Sequence, residues 1–424
     1  MLTSNTGTGK TFFVVNTVYQ LCEENGWKML VLSNRNYLKR QIQTHYKEIF
    51  QNNAAIMTYQ NFINLVKYEL IPPDKYQIII ADECHFFFED SPFNHSSDIV
   101  LSYLQQTEST VLFMSATSEL IQEYLGDTLN ITYKITRPYK FNQIYYWDNV
   151  DVVKKMLVSM DPEEKAIYFC RSAQQAYNMH KEMPNKSAFI CSQYNKKFEP
   201  RINKDVRKQI RENECFEPQI LFCTSALDNG INLHDPALKH IIIDLYDPVS
   251  IIQCIGRKRI DNEKDLPNLY IAHYQEKQVK KTIRFYEKQL EPVEFFENNS
   301  LQQFECRYNR QYLNGILYTE TPDSESNLTE YHINTAKLFR YKHEIALAKQ
   351  ILKSDPEFGH LKYLCGLLDV NFSFAKNLGK EYTALTLIDK LEEYYNVPLF
   401  GDDKAYFLEL LKRDVLVPLR GGYR

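Results

Sequence analysis

A short segment close to the first residue combines the residue types that bind phosphate groups. Residues 4–11 read Ser-Asn-Thr-Gly-Thr-Gly-Lys-Thr and nearly match the pattern G-x-x-x-x-G-K-[ST], with Ser4 at the first glycine position. Glycines let backbone N–H groups face phosphate oxygens, a lysine reaches the β- and γ-oxygens, and a hydroxyl can bind magnesium. The alternative is an ordinary glycine-rich turn before a helix. The candidate nucleotide-binding residues are Thr6, Gly7, Thr8, Gly9, Lys10 and Thr11.

A pair of carboxylates follows an apolar run further along the chain. Residues 78–81 are Ile-Ile-Ile-Ala, which predicts a buried parallel strand, and Asp82 and Glu83 follow directly. Ligands bind at the carboxyl ends of strands in open α/β sheets, so these side chains are placed to act on a bound phosphate. Asp82 fits the magnesium shell together with Thr11, and Glu83 fits either that shell or a general base that orients water. The alternative is a solvated strand end that carries charges.

Alternating apolar runs and helical patterns predict the elements that must hold these residues. Strands are predicted at residues 29–32, 78–81 and 111–114, and amphipathic helices at residues 11–22 and 38–50. Only three residues precede Ser4, although a phosphate-binding loop normally follows a buried strand. We therefore expect either an unusually short strand or a natural chain that begins upstream of Met1.

The same alternation returns after residues 136–138 and then gives way to helices. Strands are predicted at residues 166–170, 187–191, 220–223 and 240–244, and helices at residues 172–182 and 204–212. Beyond residue 275 strand patterns largely disappear. Helices are predicted there at residues 276–290, 331–352, 376–395 and 404–414. Two α/β units followed by a helical region are the expected order.

Composition limits the class of protein. The 424 residues are 44% hydrophobic and 25% charged, which is typical of a globular chain of two or three domains. The net charge of −4 excludes a basic footprint over the whole chain, so any nucleic-acid contact must be local. We expect no membrane span, no secretory signal and, from nine scattered cysteines without zinc spacing, reduced core thiols in a cytoplasmic protein.

Short segments of the first unit resemble motifs of the superfamily 2 helicases. Residues 82–85, Asp-Glu-Cys-His, resemble the D-E-x-H box, and residues 115–117, Ser-Ala-Thr, match the motif that links ATP hydrolysis to nucleic acid. Residues 32–35 with Gln41 resemble the segment that touches the nucleic-acid backbone, and residues 58–60 resemble the short motif that follows it. Their order makes the set specific. The residues thereby implied in nucleic-acid contact or coupling are Asn34, Arg35, Thr58, Gln60, His85, Ser115 and Thr117.

The second unit resembles the second helicase domain. Residues 165–172 are similar to its first strand and turn, and residues 221–232 are similar to the pattern T-x-x-x-x-x-G-[IV]-[DN]. The resemblance implies that Thr224 contacts the nucleic-acid backbone and that Gly230 lies beside the nucleotide. The alternative for Gly230 is a plain turn glycine.

Residues 253–260 resemble the pattern Q-x-x-G-R-x-x-R, with Gln253 at its start. The resemblance implies that Arg257 is an arginine finger, a cation placed on charge that develops at the γ-phosphate. The second arginine position holds Ile260, and the nearby basic residue is Arg259. On a helix Arg259 would point about 100° away from the family position. The alternative for this segment is a solvated basic helix face.

The resemblance covers about residues 2–275 and implies two tandem RecA-like parallel-sheet domains followed by a helical C-terminal region. The expected limits are 1–137 for the ATP-binding domain, 138–275 for the second helicase domain and 276–424 for the helical region. The implied function is an ATP- and Mg²⁺-dependent helicase or translocase acting on DNA or RNA, with DNA favoured. The alternative is an ATP-gated nucleic-acid-binding or scaffold module. The stretch 85–94 also resembles a subgroup found in bacterial prophages and mobile elements.

Two basic segments remain open to more than one interpretation. Residues 196–211 carry seven Lys and Arg against two acids, and five basic residues recur at helical spacing between 277 and 288. Either segment can bind nucleic acid, the second by charge and base stacking. A solvated helix face, or a packing helix with extended lysines, is the commoner reading of such patterns. Protein partners of the helical region are a further expectation.

Overall fold

Two parallel β-sheets organise the computed structural model. The structure describes residues 1–5, 8–33, 53–72, 75–89, 97–135, 138–192, 195–225, 227, 232–260, 262–308, 315–319, 331–381 and 404–408. We call the first sheet with its helices the first lobe and the second sheet with its helices the second lobe. Helices of the C-terminal region pack against both.

The first sheet has six strands in the order β3-β2-β4-β5-β1-β6, and every neighbouring pair is parallel. Its central strands are buried because they are continuous apolar runs with helices on both faces. The strands are β1 (Leu2–Ser4), β2 (Met29–Ser33), β3 (Ala54–Thr58), β4 (Ile78–Asp82), β5 (Thr110–Ser115) and β6 (Tyr133–Ile135).

The helices of the first lobe connect these strands. The helix after β1 is not uniform, since a π-helical turn (Val14–Val18) separates α1 (Lys10–Phe13) from α2 (Tyr19–Asn25). Such π-turns often occur at functional sites. The Thr58 hydroxyl caps the next helix by accepting a hydrogen bond from Asn61 N at 3.2 Å. The remaining helices are α3 (Tyr59–Lys67), α4 (Phe86–Glu89), α5 (Ser97–Gln106), α6 (Glu119–Leu125) and a 3₁₀ turn (Gly126–Thr128).

The second sheet has seven strands in the order β15-β7-β12-β11-β8-β10-β9, again all parallel. Its strands are β7 (Gln143–Trp147), β8 (Lys165–Cys170), β9 (Ser187–Ile190), β10 (Ile220–Thr224), β11 (Leu238–Ile243), β12 (Asn268–Ala272) and β15 (Ala375–Asn377). Its helices are α7 (Val150–Ser159), α8 (Ala173–Glu182), α9 (Lys204–Asn213) and α10 (Pro248–Ile255), with 3₁₀ turns at Glu199–Arg201 and Glu263–Asp265.

The C-terminal region is mainly helical and shares a hydrophobic core with the second lobe. Its longest helix has Pro292 within it. A two-stranded antiparallel sheet precedes the next long helix, which Asn334 caps by accepting from Lys337 N at 2.9 Å. The elements are α11 (Glu276–Asn298), α12 (Leu301–Tyr308), β13 (Leu317–Thr319), β14 (Tyr331–Ile333), α13 (Thr335–Ser354), α14 (Gly359–Leu367), a 3₁₀ turn (Phe372–Phe374) and helical residues 404–408.

The topology confirms the predicted fold class, two tandem parallel-sheet α/β units of RecA-like type with a helical C-terminal region. Two details of the sequence prediction are wrong, and a third is not tested. The helix expected from residue 331 begins at Thr335, because Tyr331–Ile333 pair with Leu317–Thr319. The helix expected from residue 376 is preceded by a strand, because Ala375–Asn377 extend the second sheet. The predicted helix at 38–50 lies outside the described residues.

The cysteines match their expected place only in part. Seven are buried, Cys215 is half-buried and Cys306 is exposed on α12. The prediction of core thiols is therefore wrong for Cys306, whose helix turns it toward solvent. None of the helices in the described part of the chain combines the length and apolarity that a membrane crossing needs.

Candidate nucleotide site and interlobe cleft

The phosphate loop joins β1 to α1 and is braced by its own side chains. Gly9 adopts the left-handed conformation with φ of 92°, which favours glycine. The Thr8 hydroxyl donates to Ser4 Oγ at 2.8 Å and to Asn5 O at 2.9 Å. Lys10 Nζ donates to Ser4 O at 2.8 Å and to Asn5 O at 3.2 Å, so its charge lies over the loop. An anion at this place would meet a preformed positive centre.

The structure describes some, but not all, of the residues predicted to bind phosphate in this loop. Thr11 lies in the first turn of α1 and is half-buried. Thr6 and Gly7 lie outside the described residues.

The acidic box, residues 82–85, begins at the carboxyl end of β4. It lies two strands away from the phosphate loop, residues 4–11. Asp82 and Leu2 both lie level with Met114 of the strand between them, so the two sites share one edge of the sheet. Tyr59 is fully buried, and its hydroxyl donates to Asp82 O at 2.8 Å. Glu83 has a φ of 52°, and this left-handed residue turns the chain out of the strand.

A network of polar contacts joins the acidic box to the Ser-Ala-Thr segment. His85 Nδ1 lies 3.3 Å from Glu83 Oε2 and 3.0 Å from Ser115 Oγ. Ser115 Oγ in turn donates to Thr117 O at 2.9 Å and accepts from Thr117 N at 3.0 Å. Residues of two separate motifs, Glu83 and His85 from one and Ser115 and Thr117 from the other, thus form one connected unit.

The electrostatics of this edge follow from burial and charge. Burial raises the pKa of the Cys84 thiol, and the nearby carboxylates of Glu83 and Asp82 raise it further, while the Lys10 ammonium acts in the opposite direction. Cys84 is therefore a neutral thiol and no nucleophile. Burial also raises the pKa of Tyr59, so its hydroxyl keeps the proton that it donates to Asp82 O.

The segment expected to carry the arginine finger follows α10 rather than lying on it. The helix ends at Ile255, and Lys258 forms an isolated parallel bridge with Leu233. The expectation of a helical phase of about 100° between successive residues is therefore wrong here. Arg257 is buried. Burial raises the pKa of the nearby Cys254 thiol, and the charge of Arg257 acts in the opposite direction.

The remaining side chains of this segment have separate environments. Arg259 donates through Nε and Nη2 to Asn232 Oδ1, at 2.9 and 2.6 Å. Ile260, at the second arginine position, is exposed. Gln253 Nε2 is buried without a hydrogen-bond partner among the described residues.

Sequence reasoning missed the role of Lys258. Its Nζ is buried and donates to Asp265 Oδ1 at 2.6 Å and to Asp235 O at 2.7 Å. This buried pair fixes the turn that follows α10, so Lys258 acts in structure rather than in phosphate binding. An acidic residue shortly after a basic run is the only sequence signal, and it is too common to be diagnostic.

The other predicted residues are spread over the two lobes. Thr58 caps α3, and Gln60 is exposed on that helix. Thr224 is half-buried at the carboxyl end of β10. Asn34, Arg35, Gln41 and Gly230 lie outside the described residues.

A cleft of 430 Å³ separates the lobes and is walled by the C-terminal region. The first lobe contributes His85 and Thr117, and the second contributes Val249 at the start of α10. Side chains of α13 and α14, including Glu344 and Tyr363, complete the wall. His85 and Thr117, two of the residues predicted to couple hydrolysis to nucleic acid, therefore face a cleft that the helical region also reaches.

The basic segments considered earlier lie on helical surfaces. In α9, Val206 and Ile210 are buried while most of the basic residues face solvent. In α11, Val279 and Ile283 are buried, and Lys280 Nζ lies 2.5 Å from Glu276 Oε1. Both patterns fit packing helices with solvated charges.

Magnesium would need few protein ligands at this site. No cluster of three His, Cys, Asp or Glu side chains suited to a metal occurs in the described part of the chain. Nucleotide-bound Mg²⁺ commonly takes only one or two carboxylates, with phosphate oxygens and waters completing its shell. The Asp82 carboxylate and the Thr11 hydroxyl fit that donor chemistry.

Two family models match the chain in the regions just described. Residues 1–59 match the type III restriction enzyme res subunit. Residues 148–260 match the helicase conserved C-terminal domain. These matches support a superfamily 2 helicase. They contain the phosphate loop in one lobe and Gln253 to Arg259 in the other, so the helicase-type function and ATP binding are supported in general terms.

Several solved structures are similar to the chain. S. cerevisiae Dbp5 bound to RNA and ADP BeF3 has 17% identity and a TM-score of 0.46, covering 65% of this chain and 79% of that one. The DEAD-box helicase Mss116 bound to ssRNA and UDP-BeF has 13% identity and a TM-score of 0.47, with 87% and 83% covered. A fragment of a putative HsdR subunit of a type I restriction enzyme from Vibrio vulnificus YJ016 has 20% identity and a TM-score of 0.44, with 64% and 59% covered. No curated protein matches the chain.

Proposed function

We propose that the chain is a nucleic-acid-dependent ATPase that works as a helicase or translocase on DNA or RNA. The observation that carries this proposal is the network from Glu83 through His85 to Ser115 and Thr117, on the sheet edge that also holds Lys10. It supplies a physical connection between the groups that would act on ATP and the segment that would sense nucleic acid.

The proposed roles follow from the chemistry of each group. Lys10 would bind the β- and γ-phosphate oxygens after leaving the carbonyls of Ser4 and Asn5. Glu83 would orient the attacking water and accept its proton. Asp82 and Thr11 would hold magnesium, which neutralises phosphate charge when bound.

The second lobe would complete the site by contributing its cations. Arg257 would reach the γ-phosphate as the lobes close, where a cation stabilises the charge that develops. Gln253 would lie beside it. The carboxamide of Asn232 directs Arg259, which makes Arg259 a candidate for the second cation in place of Ile260.

The test is a profile of ATP hydrolysis over single- and double-stranded DNA and RNA, with DNA tried first. We expect at least one polymer to raise the rate, and Lys10→Ala and Glu83→Gln to abolish it, since loss of such groups costs orders of magnitude in rate. Lys67→Ala, on an exposed part of α3, is the control. Full activity in Lys10→Ala, or no hydrolysis by the wild type with any polymer, would contradict the proposal.

A second candidate is an ATP-gated module that binds nucleic acid or scaffolds a complex without moving along it. The observation that favours it is the helical region, which walls the cleft on one side. Strand displacement or translocation at a rate tied to ATP use would exclude this candidate. ATP-dependent binding without either movement would support it.

A further inference from the structure

A line of charged side chains is buried along α13. Lys337, Arg340 and Glu344 are 3%, 9% and 6% exposed and recur at helical spacing on one face. Burial lowers the pKa of Lys337 to about 8, and the neighbouring Arg340 charge adds to the shift. Charged groups are costly to bury unless the surroundings satisfy them. The groups that contact these buried charged side chains therefore show which parts of the molecule α13 connects.

Arg340 contacts both lobes through one guanidinium group. Nη1 donates to Phe88 O at 2.8 Å, and Nη2 lies 4.0 Å from Asp247 Oδ1, a charge contact longer than a hydrogen bond. Phe88 is part of α4, the short helix that directly follows the acidic box. Asp247 is the N-cap of α10, whose chain continues to Arg257. A planar, rigid cation thus lies between the two elements that carry the proposed site, with a hydrogen bond to one and a charge contact to the other.

The two oxygens of the Asp247 carboxylate make different contacts. Oδ2 accepts from Ser250 N at 2.7 Å and so begins α10, while Oδ1 is the atom nearest Arg340. An asparagine at this position would keep the capping oxygen and lose the charge. The cap and the ion pair can therefore be tested apart.

Other contacts attach the helix pair α13 and α14 to each lobe. On the first lobe, His343 Nδ1 lies 2.7 Å from Glu123 Oε2 and Tyr363 donates to Glu119 Oε2 at 3.4 Å. On the second lobe, His360 Nε2 lies 2.8 Å from Tyr246 O. Loss of the Arg340 guanidinium would leave these attachments intact.

We propose that Arg340 is a positioning residue that couples the acidic box of the first lobe to α10 of the second by fixing the separation of Phe88 and Asp247. The inference rests on the proposed function for its kinetic consequence. Without the guanidinium the lobes stay attached to the helix pair, but the separation of Phe88 and Asp247 is less tightly fixed. Nucleic acid then loses its effect on hydrolysis, because binding to one lobe no longer sets the position of the other.

The kinetic test uses the full chain with the stimulating polymer. Arg340→Gln and Asp247→Asn are each expected to lower the stimulation of ATP hydrolysis by about tenfold, a typical coupling between sites. Their KM for ATP without polymer should stay within about twofold of the wild type, since neither residue touches ATP. The double variant should be no worse than either single variant, because both remove the same link.

Controls distinguish a positioning effect from general damage. Lys349 lies on the same helix as Arg340 and forms an exposed ion pair with Glu287 of α11. Lys349→Gln removes that ion pair and should leave the stimulation of ATP hydrolysis unchanged. Arg340→Lys should retain more of the stimulation than Arg340→Gln does, since lysine keeps the positive charge but lacks the planar guanidinium group. If Arg340→Gln does not fold, Asp247→Asn carries the test. Full stimulation in Asp247→Asn, or additive losses in the double variant, would overturn the proposal.

A distance measurement tests the link independently of catalysis. Spin labels on Glu24→Cys in the first lobe and Lys208→Cys in the second, with Cys215 and Cys306 replaced by serine, report the separation of the lobes. Arg340→Gln should broaden the distance distribution relative to the wild type, and an unchanged width would contradict the inference. A broadened distribution in a chain whose wild type does not hydrolyse ATP would sink the proposed function and leave the positioning role standing.

Discussion

At the scale of single residues, His85 is the point where two motifs distant in the sequence meet. Its Nδ1 lies within 3.3 Å of Glu83 Oε2 and 3.0 Å of Ser115 Oγ. One ring nitrogen carries at most one proton, so the ring cannot serve both oxygens fully at the same time. Under the proposed function, a change at Glu83 on ATP binding would therefore alter the hydrogen bond available to Ser115.

His360 is a residue whose burial predicts a dependence of stability on pH. Its ring stacks on Tyr246 with centroids 4.7 Å apart, and burial lowers its pKa from 6.5 to about 4. The unfolded chain binds the proton between those values while the folded chain does not, so stability falls as the pH drops from above 6.5 toward 4. The loss attributable to this residue is about 3 kcal/mol over that window.

The measurement is urea unfolding at pH 7 and at pH 4.5 of the wild type and of His360→Gln. The variant can still donate to Tyr246 O but has no titrating ring, so its stability should change less between the two pH values. Equal pH dependence in both proteins would contradict the assignment to His360.

At the scale of elements, the phosphate loop and α1 depend on one backbone conformation. Gly9 has a φ of 92°, and a Cβ added there would meet only Phe12 Cβ at 4.0 Å, so strain rather than a clash opposes substitution. Gly9→Ala should lower the free energy of unfolding by about 1 kcal/mol. Gly9→Asn should cost less, because asparagine tolerates the left-handed conformation. Thermal unfolding of both variants tests this ranking, which equal losses would refute.

The elements that sequence could predict are those with a continuous apolar run. The central strands β2, β4 and β5 were predictable because burial on both faces leaves unbroken runs of Val, Ile, Leu and Met. The edge strand β3 reads Ala-Ala-Ile-Met-Thr, is mostly half-buried and starts with two small alanines, and β15 reads Ala-Lys-Asn, so both give a weaker pattern. These strands form because neighbours supply hydrogen bonds, which no local pattern reveals.

The same reasoning explains which parts of the site could be predicted. Lys10, Asp82 and Ser115 belong to short local patterns, whereas Arg340 and Asp247 lie far apart in the chain and match no motif. Their proximity is a product of packing. The helical phase assumed for Arg257 and Arg259 failed because α10 ends at Ile255, with Gly256 as its C-cap.

At the scale of the whole molecule, a bound nucleotide should raise the free energy of unfolding of the chain. A ligand that binds only the folded chain adds about 2.7 kcal/mol at a concentration 100-fold above its Kd. We therefore expect Mg²⁺ and a non-hydrolysable ATP analogue to raise the Tm of the wild type but not of Lys10→Ala. Thermal unfolding with analogue and without it is the measurement, with Lys67→Ala as the control. An equal rise in Lys10→Ala would place the bound analogue elsewhere.

The helical region is bound more closely to the second lobe than to the first. Its residues Ile345, Ala348 and Leu364 belong to the same hydrophobic core as the second sheet, whereas Ala336 alone of α13 is buried in the first-lobe core. Motion between the lobes should therefore carry the helix pair with the second lobe. Contacts such as His343 with Glu123 are the ones that such motion would break.

The strand β15 also has a consequence for how the chain is made. Ala375–Asn377 lie beside β7 (Gln143–Trp147), so an outer strand of the second sheet is synthesised long after the strand that it pairs with. A ribosome releases the chain from the N-terminus, and until residue 377 emerges one side of β7 has no β15 to cover it. The first lobe has no such dependence among its described strands, all of which precede residue 136. Synthesis therefore favours an order of assembly in which the phosphate loop is in place before the second lobe is complete.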